Sequence, residues 1–199
     1  MIIHKGQFLT SVYPWPRLDE GKNKVVDKLG VGTVYNNRFF LKIPKVCTSF
    51  YRDCLTKFEE TYDPNRQSII ILRDPVERWI SGTLEIFSKF DININLFKRR
   101  YINSIAFDRH TAPQTLFIPN NLNVKNCVFY KYNPNIIKEI QPAYFADVEP
   151  VIRNPTNVNS KKLENLDLVK QWANNPDFNK KLKEYYKQDY TLIERYCNE

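Results

Sequence analysis

Two short apolar runs, each broken by a polar turn that leads into helical spacing, constrain this 199-residue chain more than any other feature. The first is Arg38-Phe39-Phe40-Leu41-Lys42-Ile43, stopped by Pro44. Apolar residues then recur at Phe50, Cys54 and Phe58, with Tyr51 and Leu55 beside them, the spacing of one helix face. The second run, Ser68-Ile69-Ile70-Ile71-Leu72, is short and β-branched, which suits a buried strand. Beyond it Asp74 suits a helix cap, Pro75 the first helical position and Glu77 the box position three residues on. Val76, Ile80, Leu84 and Phe87 mark the buried stripe of that helix.

The remaining elements follow the same logic. Tyr62-Asp63-Pro64-Asn65 is a turn signal, and Cys127-Val128-Phe129-Tyr130 is a third strand. Two closing helices are expected over 163–174 and 177–196. The chain up to Asn37 reads as loops with one short helix around 22–29. Two strand–turn–helix units followed by another strand predict an α/β fold, a three-layer domain over 1–199 with a short parallel sheet flanked by helices. The core is affordable in size, since 42% of residues are hydrophobic and 14% aromatic.

Charge narrows the partners. Thirty Lys and Arg against 22 Asp and Glu give a net charge of +8, which implies an anionic partner: nucleotide, polyanion, nucleic acid or acidic membrane. The four cysteines, Cys47, Cys54, Cys127 and Cys197, form no CxxC, and His4 and His110 are the two histidines, so a metal site is not expected. Reduced thiols and a soluble, cytoplasmic protein are the expectation, because Met1-Ile2-Ile3-His4-Lys5-Gly6 lacks a signal-peptide layout. No run approaches the roughly 20 apolar residues of a membrane span.

In a parallel α/β sheet, ligands bind beyond the carboxyl ends of the strands, where loops enter helices. Both turns here carry anion-binding groups at that edge. Lys45-Val46-Cys47-Thr48-Ser49 offers a lysine, two hydroxyls and the free N–H groups of a helix start. It is not a Walker A loop, because GxxxxGK[ST] is absent. The plainer reading is a solvated lysine and a Ser/Thr cap. In the second turn, Arg73 ends the strand and Ser81 lies about two helical turns into the helix, a clamp for another phosphate. The plainer alternative pairs Arg73 and Arg78 with Asp74 or Glu77 on the surface.

Taken together, Ile43-Pro44-Lys45-Val46-Cys47-Thr48-Ser49-Phe50 and Arg73-Asp74-Pro75-Val76-Glu77-Arg78-Trp79-Ile80-Ser81 resemble the two cofactor signatures of sulfotransferases. Those enzymes use 3′-phosphoadenosine 5′-phosphosulfate (PAPS), and the form of both motifs is similar to the carbohydrate branch. Asp108-Arg109-His110-Thr111-Ala112-Pro113-Gln114 looks like a segment of related members, and Tyr186 to Ile193 resembles their final helix. The resemblance implies a P-loop NTPase-like sulfotransferase fold and transfer of a sulfuryl group to a hydroxyl or amine of an acceptor, a carbohydrate above all. PAPS is the cofactor it implies, with 3′-phosphoadenosine 5′-phosphate (PAP) as product and no metal. Lys45, Val46, Cys47, Thr48, Ser49 and Phe50 would form the 5′ phosphosulfate loop, and Arg73 and Ser81 would hold the 3′ phosphate. Lys45 would also stabilise the charge that grows on the bridging oxygen. Cys47 departs from the glycine that many soluble members carry there.

An acceptor hydroxyl must lose its proton, and an imidazole titrates near neutrality, so His110 is the candidate base. The interval from Lys45 to Arg73 holds no histidine; Asp53, Glu59 and Glu60 are its acidic alternatives, the glutamates being expected far along the first helix. Several tempting features have plainer roles. Trp79 reads as core, Asp189 as a buried structural acid, Lys98-Arg99-Arg100 as a solvated face and Asn154-Pro155-Thr156-Asn157 as a loop. Two rivals stand beside the transferase reading. A P-loop kinase would need Mg²⁺ ligands and a Walker lysine. A basic nucleic-acid-binding module would need basic and aromatic residues on one face.

Overall fold

A computed structural model describes residues 30–51, 55, 60–90, 105, 109–149 and 160–197. The expected helix over 22–29, together with His4, Asp53, Cys54, Phe58, Glu59, Lys98-Arg99-Arg100, Asp108 and Asn154-Pro155-Thr156-Asn157, lies outside them. Five strands form one sheet: β1 (Val31–Tyr35), β2 (Arg38–Leu41), β3 (Glu60–Thr61), β4 (Ser68–Leu72) and β5 (Cys127–Lys131), in the order β3-β1-β2-β4-β5. The strands β2, β4 and β5 run parallel, as the strand–turn–helix units predict. The β1 strand is antiparallel to both β2 and β3, so the sheet is mixed rather than parallel throughout.

The extra strands correct the reading of the chain before Asn37 as loops. Tyr35 pairs with Arg38 across a two-residue turn in which Asn36 and Asn37 both have positive φ, 47° and 58°. Asparagine tolerates that conformation, and such a turn twists in the sense that a hairpin needs. Gly32 is obligatory in β1, because a Cβ there would run into the Phe39 ring and the Phe40 carbonyl. Glu60 falls in β3 and not on a helix; Arg66 Nη1 lies 2.9 Å from its carboxylate.

The helices are α1 (Thr48–Phe50), α2 (Pro75–Phe90), α3 (Ile136–Tyr144), α4 (Ser160–Asn174), α5 (Pro176–Tyr185) and α6 (Lys187–Tyr196). Asp74 caps α2 as expected: its Oδ1 accepts from the backbone N–H groups of Val76 and Glu77, each at 2.9 Å. The expected helix over 177–196 is two helices, because the chain turns at Tyr186 to bury its ring and donate its hydroxyl to the Thr111 carbonyl.

The core has two parts. Every residue of β4 is buried, and β2 joins Tyr51, Ile136, Ile140, Phe145 and Ile193 around the sheet. The second part joins α2 to the closing helices, where Trp79 meets Trp172 edge-on at 5.1 Å and Phe178 at 5.3 Å. On α2, Leu84 and Phe87 are buried as expected, whereas Val76 and Ile80 are only half-buried. Arg78, Trp79, Thr83 and Ile86 complete a wider buried arc, because α2 is covered on two sides.

Candidate functional site

The three parallel strands end side by side, and the segments that leave them enclose a cleft of about 310 Å³. Lys45, Cys47, Thr48 and Ser49 line it from the turn after β2, Ser81 from α2 after β4, and Tyr132, Pro134, Ile136 and Ile137 from the turn after β5. That is the edge at which α/β sheets hold ligands, and the volume lies at the lower end of the range for small-molecule sites. The structure thus brings the predicted first loop and Ser81 together.

The first loop has an unusual backbone. Val46 N–H donates to the Ile43 carbonyl at 3.0 Å, closing a tight turn, and both Lys45 (φ 67°) and Cys47 (φ 51°, ψ 8°) are left-handed. Each non-glycine residue in that region costs about 1–2 kcal/mol. A left-handed Cys47 followed by the helical Thr48 turns successive N–H groups toward a common concavity, the geometry of an anion nest. The conformation at Cys47 is the one a glycine adopts freely, so a cysteine there carries backbone strain. The side chains of Val46 and Phe50 serve the core: Val46 is fully buried and the Phe50 ring packs on Phe145 at 5.2 Å.

Lys45 reaches back to α2, where its Nζ lies 3.1 Å from Glu85 Oε2. Sequence reasoning does not single out Glu85, which lies one helical turn beyond Ser81 and meets Lys45 only because β2 and β4 are neighbours. The Cys47 thiol is pushed up to about 12 by burial, against the pull of the nearby Arg73 charge. It therefore stays a neutral thiol at physiological pH. Cys127 and Cys197 are also free thiols.

Arg73 stands beside the cleft. Its Nη1 donates to the Lys45 carbonyl at 3.3 Å, so the second turn holds the first. Its guanidinium lies 4.6 Å over the Tyr132 ring, and its Nε is 3.6 Å from the exposed Glu77 carboxylate. That last contact is the surface pairing expected for Arg73, and at this length and exposure it is worth little. Arg78 does the opposite of the surface reading and is fully buried.

His110 belongs to the strap 109–115, which crosses α2 at Gly82, the residue after Ser81; a Cβ on Gly82 would come within 2.6 Å of the His110 carbonyl. The histidine is not among the residues lining the cleft. Trp79 is core, and its indole N–H donates to the Ile105 carbonyl at 2.8 Å. Asp189 is buried and structural, accepting from the N–H groups of Gln114 (2.8 Å) and Thr115 (2.9 Å).

Among the described residues, no helix is long and apolar enough to cross a membrane, and no group of three His, Cys, Asp or Glu side chains is placed to share a metal ion. The fold and the cleft thus define a mixed α/β protein with a cleft beyond its parallel strands lined by Lys45 and by the hydroxyls of Thr48, Ser49 and Ser81. No family model, curated protein or solved structure matches the chain.

Proposed function

We propose that this chain is a PAPS-dependent sulfotransferase with a P-loop-like, three-layer fold, acting on a hydroxyl or amine of a carbohydrate acceptor. The observation that carries the reading is the convergence of Lys45, Cys47, Thr48 and Ser49 with Ser81 on one cleft at the carboxyl ends of parallel strands. In this reading the nest at Cys47 and Thr48 and the hydroxyls of Thr48 and Ser49 receive the 5′ phosphosulfate. Ser81, with Arg73 released from its weak contact to Glu77, receives the 3′ phosphate. The acceptor oxygen attacks sulfur as the bridging S–O bond breaks, and Lys45 stabilises the charge left on the phosphate. His110 is assigned the acceptor proton, and its strap is packed against α2 next to Ser81.

The test is ligand stabilisation of the folded protein. PAP at 100 times its Kd adds about 2.7 kcal/mol, which raises Tm by about 5–11 °C for a chain of this size. AMP, which lacks the 3′ phosphate, should raise it much less. Equal shifts from AMP and PAP would remove the role of Arg73 and Ser81. A response to Mg²⁺–ATP or to oligonucleotides with none to PAP would sink the transferase reading.

A further inference from the structure

The mechanism above leaves one buried cation unused. Arg78 is 0% exposed, and its guanidinium donates to three backbone carbonyls. Nε donates to Pro44 at 2.9 Å, Nη1 to Ala112, and Nη2 to Arg109 at 3.1 Å. The first of these carbonyls immediately precedes the left-handed Lys45. The other two flank His110 in the strap 109–115. One rigid fork on α2 therefore fixes the loop of Lys45 and the segment of His110 to a common frame.

The strap is latched from its far side as well. Asp189, buried on α6, accepts from Gln114 and Thr115 N–H; burial raises its carboxyl above the usual range, and those two bonds and then the Arg78 charge oppose the rise. Gln114 in turn accepts from Arg73 N–H at 2.9 Å and donates to the Arg73 carbonyl at 2.7 Å. The chain of contacts thus runs from the closing helix through the strap to both turns of the cleft. A buried charge costs several kcal/mol of desolvation, and a fully apolar contact would hold the core as well. What an apolar residue lacks is a set of donors that specifies where three carbonyls sit.

We propose that Arg78 is the positioning residue of the cleft, setting the Lys45 loop and the His110 strap relative to α2. The proposal rests on the sulfotransferase reading only for the identity of the ligand; the positioning itself has its own readout. In the unaltered protein, amide hydrogen exchange should show Val46 and Tyr51 opening together with Gln114, Thr115 and Leu116, with one opening free energy and one denaturant dependence. Exchange of Val46 through a separate, low-energy fluctuation while Gln114 and Thr115 stay protected would overturn it.

The conservative variant R78K keeps the charge and loses the fork. Amides of Val46 and Tyr51 should exchange faster in R78K while those of Ile69 to Leu72 in β4 keep their protection. PAP affinity should fall about 10- to 100-fold, the cost of a small misplacement of binding groups. Unchanged loop exchange in R78K, or faster exchange spread evenly over β4, would show a merely structural arginine. If the unaltered protein fails to bind PAP, the ligand assignment falls, and the exchange comparison still decides the positioning role. Should R78K not fold, the linked opening in the unaltered protein carries the decision.

Discussion

Replacing Glu85 by glutamine should weaken the fold and tighten anion binding at once. The Lys45–Glu85 pair is 3.1 Å long with side-chain exposures of 21% and 26%. At an effective dielectric near 20 its gross attraction is roughly 5 kcal/mol. Desolvation and side-chain ordering offset most of that, leaving about 1 kcal/mol for a partly exposed pair. Glu85→Gln should therefore lower Tm by about 2–4 °C. An arriving phosphate must share Lys45 with the carboxylate and face its like charge on the far side of the ammonium. Across about 6 Å that repulsion is roughly 3 kcal/mol per charge at the same dielectric, and solvent in the open cleft removes much of it. A remaining gain of about 1–2 kcal/mol corresponds to PAP binding tighter by about 5- to 30-fold. Calorimetric titration of PAP into both proteins, with melting curves of each, measures the two effects separately. Weaker or unchanged PAP binding in Glu85→Gln would refute the argument that Lys45 faces the anion.

Three further outcomes are expected. Lys45→Ala should lose turnover far more than Thr48→Ala under saturating donor, since only the lysine meets charge that grows in the transition state; near-normal turnover in Lys45→Ala would leave it a binding group alone. His110→Ala should reduce turnover by about 10²–10⁴-fold with PAP affinity nearly unchanged; loss of PAP binding instead would move His110 into the cofactor site. The Cys47 thiol, pushed by burial from the usual 9.0 up to about 12, stabilises the fold fully below pH 9 and loses that contribution as pH climbs toward 12. The stability advantage of the unaltered protein over Cys47→Ser, followed by denaturant unfolding, should shrink by about 1 kcal/mol between pH 8 and pH 10. A difference independent of pH would contradict the burial argument.

The central strands and α2 were legible because local and tertiary preferences agree there. Ser68 to Leu72 is β-branched, and in the middle of the parallel strands it is buried on both faces, so its pattern is continuous. Asp74, Pro75 and Glu77 are read directly as a helix start because capping is a contact within a few residues. The hairpin β1–β2 was missed although Asn36-Asn37 carries its turn chemistry, because Gly32 interrupts the β-branched pattern. Glycine there answers to the Phe39 ring and the Phe40 carbonyl across the sheet, a tertiary demand with no local trace. The break at Tyr186 is similar: helical spacing runs straight through it, and only a partner at Thr111 explains the turn.

The cleft divides along the same line. Lys45, Thr48, Ser49 and Ser81 sit at positions that the strand–turn–helix geometry fixes by counting along the chain, so their convergence could be anticipated. Arg78 sits in the same turn, and counting placed it on the surface with Asp74 and Glu77. Those nearby carboxylates made a surface pairing plausible, and the carbonyls that actually accept from its guanidinium are hidden from sequence, because every backbone residue offers one. Pro44, Arg109 and Ala112 carry no side-chain signal of that role. Glu85 shows the intermediate case, since a lysine at a strand end and a carboxylate one turn beyond Ser81 become partners only once β2 and β4 are known to be neighbours. The order of the strands, and not the spacing within either motif, is therefore what turns two phosphate-like turns into one site.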